Sequence, residues 1–162
     1  MNNNNELLLK MIAYDAKDPK RIQHFLKVYE FAKIIGESEG LDAKIQHILE
    51  TAAIVHDIGI KNAEARFGNC SGKLQEQEGP APARELLSSL SYDPDVIERV
   101  CYLVAHHHTY TNVDGLDYQI LLEADFLVNL YEDGANTSAI SHALEHIFQT
   151  DTGIHICKTM FL

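Results

Sequence analysis

Basic residues are scarce in this sequence. Lysine and arginine together number 13 against 24 aspartates and glutamates, leaving a formal net charge of -11. So acidic a chain is repelled by a phosphate backbone, and nucleic-acid polymers are not expected as partners. A small phosphorylated ligand stays open, because a bound metal ion can invert the local field. Cysteine is sparse too: Cys70, Cys101 and Cys157 are odd in number and form no Cys-x-x-Cys pair. That pattern implies reduced thiols and a cytoplasmic location rather than a disulfide framework. No apolar run is long enough to span a bilayer, so no membrane role is expected. The opening "MNNNNELLLK" lacks the charged n-region and small-residue cleavage site of a signal peptide. Strand signals are weak, with few alternating runs and no Asn-Gly hairpin. There is no internal repeat, and the one low-complexity piece, "NNNN", is expected to be mobile.

Helix signals are abundant. The chain has 162 residues, 46% of them apolar, which suits a single domain over 1–162 with one core. Asp18-Pro19 reads as a cap and first helical residue, starting a helix that runs to about Gly36. A second runs from about Asp42 through "AKIQHILETAAIVH" to a break at Gly59. Residues 60–78, with Gly68, Gly72 and few apolar residues, read as a long loop with short helical pieces. Further helices are expected over 81–90, over 94–108 after Asp93-Pro94, and over 116–132. Another should run from a cap at Asn136 or Thr137 to about 148, with a short last one in "GIHICKTMFL". The expected fold class is all-α, a compact bundle of about six to seven helices.

The helical period sorts the polar residues onto faces. His24 shares a face with Val28, Phe31 and Ile35. His56 follows Ile45, Leu49 and Ala52, and Asp125 sits among Leu121, Leu122 and Val128. Asp57 adjoins His56 at a helix end, in "AAIVHDIG". Any one such histidine is more often a hydrogen-bonded core residue than a ligand. Two histidines and two carboxylates on apolar stripes are explained together by one divalent cation, since buried ionisable groups are costly without partners. The mixed nitrogen and oxygen set suits Mn, Fe, Co, Ni or Zn better than Ca.

His24, then "HDIG" at 56–59, then Asp125 in "LLEADFLVNL", resembles the HD-domain superfamily of metal-dependent phosphohydrolases over roughly residues 20–132. The resemblance implies a helical HD-type bundle in which His24, His56, Asp57 and Asp125 ligate one metal ion. It further implies attack of metal-activated water on a small phosphorylated substrate, a nucleotide being the foremost candidate. Lys61 is a candidate for phosphate contact, with Arg66 and Lys73 behind it; a solvated loop lysine is the plain alternative.

Two-metal branches of that superfamily carry extra histidines. Here "LQEQEGPAPARELL" offers Glu78 or Glu76 where one would stand, and "LVAHHHTY" offers His106, His107 and His108. Glu78 is therefore read either as a ligand, with Asp57, His106 and His107, of a second ion, or as a general base or salt-bridge partner. One ion is the preferred reading. A di-iron oxygenase of the same fold, a non-catalytic nucleotide or metal sensor, and a helical scaffold with buried histidines are the competing functions. A homo-oligomer is left open by the apolar "TMFL". His56→Ala and Asp57→Ala are expected to lose bound metal and some stability; elemental analysis of untagged protein checks this, and full metal content in either variant would refute the ligand assignment.

Overall fold

The computed structural model describes residues 4–162, and among these the chain is entirely helical. The described residues form ten helices rather than six to seven: α1 (Asn4–Tyr14), α2 (Pro19–Ser38), α3 (Ala43–Val55), α4 (Ile60–Phe67), α5 (Gly72–Glu78), α6 (Pro80–Ser89), α7 (Pro94–Val104), α8 (Leu116–Glu132), α9 (Thr137–His146) and α10 (Asp151–Phe161). None is long and apolar enough to cross a membrane. The extra helices lie where few residues are buried. The start was expected to be mobile; residues 1–3 lie outside the described region, but α1 begins at Asn4 and buries Leu7 and Met11. The expected loop over 60–78 holds α4 and α5, whose buried residues are Ala63 and Glu78 respectively. With so little apolar patterning, their ends are set by turn chemistry. Gly68 takes the left-handed conformation that closes α4, with φ 72°, and the Ser71 hydroxyl caps α5 at Leu74.

The elements foreseen from caps form the centre. The Asp18 carboxylate accepts from the Arg21 amide to start α2, and Asp42 accepts from Lys44 and Ile45 to start α3. Asn136 and Thr150 start α9 and α10 in the same way. Helix α2 packs against both α3 and α8, while α3 also packs against α7 and α8. Val28, Leu49, Ala52, Val100, Leu121 and Leu127 are fully buried where these helices meet. A further strut is Glu123, fully buried on α8, which accepts from Gln119 Nε2, the Gln149 and Thr150 amides and the Thr150 hydroxyl. It ties the link between α9 and α10 to the core.

Gly59, the last residue of "HDIG", does more than break a helix. A Cβ there would sit 2.6 Å from the Gly79 nitrogen and 2.7 Å from the Gln75 carbonyl oxygen, both backbone atoms that cannot swing aside. The turn after Asp57 is thus pressed directly against the junction of α5 and α6. Gly59→Ala is expected to destabilise the fold by about 1–3 kcal/mol, the scale of overpacking; a denaturant midpoint indistinguishable from wild type would contradict this.

Candidate metal centre

His56 follows directly on α3, and His107 comes three residues after α7. Helix ends leave carbonyls without intrahelical donors. Each histidine answers one: His56 Nδ1 lies 2.7 Å from the Ala53 oxygen, and His107 Nδ1 lies 2.7 Å from the Val104 oxygen. His24, in the first half of α2, places its Nδ1 2.7 Å from Glu132 Oε1. With every Nδ1 donating outward, the neutral rings turn their Nε2 lone pairs inward.

Those lone pairs meet carboxylates. His24 Nε2 is 3.2 Å from His56 Nε2, 3.2 Å from Asp57 Oδ2 and 3.1 Å from Asp125 Oδ1. His56 Nε2 is 3.3 Å from Asp57 Oδ2 and 3.4 Å from Asp125 Oδ1. Asn129 Nδ2 donates to the same Asp125 oxygen at 3.1 Å. His56 is fully buried. Acceptors facing acceptors at such a spot need a proton or a cation between them. The spacing fits a cation: two donors on one ion, each about 2.0–2.2 Å from it, lie roughly 3.0–3.5 Å apart. His24, His56 and Asp57 could hold a metal ion as a group, and Asp125 adds a fourth donor, a second carboxylate oxygen, beside them. Helices α2, α3 and α8 thus bring together the four residues singled out in the sequence.

The HD-domain family model matches residues 21–145. The chain belongs to the HD-domain family. A solved structure, a predicted HD superfamily hydrolase from an uncultured Thermotogales bacterium, superposes with a TM-score of 0.66 at 25% identity; the match covers 96% of this chain and 84% of that one. No curated protein matches the chain. HD domains bind divalent metals, and the His/Asp grouping here is of the kind that could hold one.

Beside the first cluster of this HD domain lies another. Asp57, His107 and His108 also offer three ligand atoms close together. His107 Nε2 is 3.4 Å from Asp57 Oδ1. The Gln75 amide oxygen lies 3.3 Å from His107 Nε2 and 2.9 Å from His108 Nε2, oriented by its nitrogen donating to the Cys70 carbonyl. Glu76 accepts from the His108 amide and the Thr109 hydroxyl, pinning the turn. The set expected from sequence for this position was Asp57, Glu78, His106 and His107, and only part of it converges. His106 stacks on Tyr102 and turns its Nδ1 to the Tyr102 carbonyl. Glu78 faces the Arg66 guanidinium at 3.4 Å, as in the salt-bridge reading. Helix α7 stops at Val104 rather than 108, so the turn re-aims the three histidines and His108 replaces His106.

Above the clusters opens a cleft of about 370 Å³, with Lys20 and Arg21 on one wall and Gln75, Asn129 and Glu132 among its other lining residues. Lys61 does not line it; its ammonium lies over the Tyr14 ring and donates to the Tyr14 carbonyl. Sequence reasoning missed Lys20, Arg21, Gln75, Asn129 and Glu132. The readable signal was spacing: Lys20 and Arg21 precede His24 by one turn, and Asn129 and Glu132 follow Asp125 at i+4 and i+7.

Charge balance follows from the geometry. Burial opposes a charge on His24, but hydrogen bonds that its ring donates to Asp125 and Asp57 outweigh it and push its pKa up to about 10. Burial likewise opposes charge on His56, yet Asp57 and Asp125 carry it well above the usual imidazole range. Burial would raise both carboxyls, but His56 and the other imidazoles hold Asp57 and Asp125 well below the usual carboxylate range. Burial and the neighbouring His107 lower the pKa of His108, favouring its neutral ring. In the metal-free protein, His24 then contributes stability that is complete below its unfolded value of 6.5 and is lost as pH rises through about 10. A divalent cation takes the proton's place and removes that alkaline loss. Denaturation midpoints of chelator-treated protein should fall between pH 6.5 and about 10 while those of metal-loaded protein hold level; parallel profiles would count against the cluster.

Proposed function

We propose that this HD-domain protein is a metal-dependent phosphohydrolase acting on a small phosphorylated molecule, foremost a nucleotide. The observation that carries the reading is the meeting of His24, His56, Asp57 and Asp125 at the floor of an open cleft. The structural neighbour, a predicted HD superfamily hydrolase, supports the reaction class. A divalent transition metal held by those four residues would supply a water of lowered pKa and a positive charge for phosphoryl oxygens. The remaining work falls to the chain itself. His56, buried just past the end of α3, and Asp57, partly open to the cleft, place the donors at its inner end. Lys20 and Arg21 on the cleft wall are suited to the phosphate. Arg21 is already oriented there by Asp15, Asp18 and Glu64. A cleft of about 370 Å³ is within the range that takes a small organic ligand.

The Asp57, His107 and His108 group could hold a second ion beside the first and so keeps one rival reading, a di-iron oxygenase. Oxygen consumption by ferrous-loaded protein separates the two. For the hydrolase, a panel of nucleotides assayed with added Mn or Co should give phosphate release. Asp57→Ala should lower it by on the order of 10²–10³-fold or more, the scale of losing one group that stabilises developing charge. Release by wild type and variant at equal rates would sink the assignment, and metal binding without release from any substrate would favour a sensor.

A further inference from the structure

Three histidines contact Asp57, and His24 is held unlike the other two. His56 and His107 each donate Nδ1–H to a carbonyl at the end of the preceding helix. His24 instead meets a side chain from another helix, Glu132, at 2.7 Å. That carboxylate is only 11% exposed, and its other close charged neighbour is Lys27 Nζ at 4.0 Å. Glu132 stands seven residues after Asp125 on α8, and Asn129, which donates to Asp125 Oδ1, stands between them. One stripe of α8 therefore carries a candidate ligand, the amide that orients that ligand, and the carboxylate that orients a second one on α2.

The geometry points to Glu132 as a positioning residue for the metal centre. A neutral imidazole can carry its proton on either nitrogen. An ionised carboxylate against Nδ1 selects the Nδ1–H form, leaves the lone pair on Nε2, and makes that nitrogen a stronger donor to a cation. Without Glu132 the ring is free to rotate on its χ2 axis and to place its proton where the ion should bind. The inference rests on the metal reading of the site, and it assigns Glu132 no contact with the ion.

The test uses the full chain, stripped with a chelator and titrated with cobalt(II) against a competing chromophoric chelator. Wild type is compared with Glu132→Gln, Glu132→Ala and His24→Ala. Glu132→Ala should bind cobalt about 10–100-fold more weakly, the usual cost of losing such a partner. Glu132→Gln, which keeps the shape and one acceptor, should lose affinity while its metal-free form still unfolds cooperatively; this keeps the test valid if the alanine variant folds poorly. Loss of a merely structural brace would lower the denaturation midpoint and leave the cobalt affinity of the folded protein unchanged. In zinc-loaded wild type, the His24 Nδ1 proton should give a slowly exchanging resonance that vanishes in Glu132→Ala while the other buried imidazole signals remain. Wild-type cobalt affinity in both Glu132 variants, or a persisting His24 Nδ1 resonance, overturns the proposal. If His24→Ala itself binds cobalt like wild type, the metal reading falls with it; if His24 is required and Glu132 is not, the positioning role alone fails.

Discussion

A carboxylate held between imidazoles is the constraint on which the rest of this molecule depends. Asp57 meets His24, His56 and His107, residues carried by α2 and by the chain just past α3 and α7. None of those groups could be buried there alone, because an unpartnered ionisable side chain in a helical core costs several kcal/mol. Together they are tolerable only with a positive charge among them, whether proton or metal. The surrounding packing serves that requirement. The apolar faces of α2, α3 and α8 bring the donors to one point, and the Gly59–Gly79 contact presses α5 in from the side. The histidines also mend the fold, since two of them satisfy carbonyls that their helix ends would leave without donors.

The interior could be read from the sequence because it obeys strong local rules. Asp18-Pro19 and Asp42 announced α2 and α3, and the caps are present in the structure. The stripes through His24 and Asp125 survived because both residues lie inside regular helices, where a period of 3.6 holds its phase. Beyond a helix end that phase is lost. His107 is buried, as an extended α7 would have it, yet His106 and His108 exchange the positions the same extrapolation gives them. Their directions are set by a turn pinned by Glu76 and by Tyr118, whose hydroxyl donates to the His106 and Thr109 carbonyls. No periodicity encodes that turn.

A similar limit hid the outer helices and the cleft wall. Helices α1 and α4 bury only one narrow edge each, so their apolar content says little about their conformation. Lys61 lies close to Asp57 in sequence, which suggested a phosphate contact, but α4 begins between them and carries the ammonium to Tyr14. Gln75 was obscure for a different reason. An amide that bridges two histidines across more than thirty residues leaves no trace in local spacing.

The thin burial of α4 and α5 has a kinetic side. This stretch lends Cys70 and Gln75 to the cleft wall, yet in these helices only Ala63 and Glu78 are buried. A segment with so few buried contacts can detach at a fraction of the global unfolding free energy. The floor of the cleft belongs to the deeply buried interior and this part of its wall to a thinly buried flank. Entry and exit of a ligand can therefore draw on breathing of that flank, while His24 and Asp125, inside α2 and α8, keep their register.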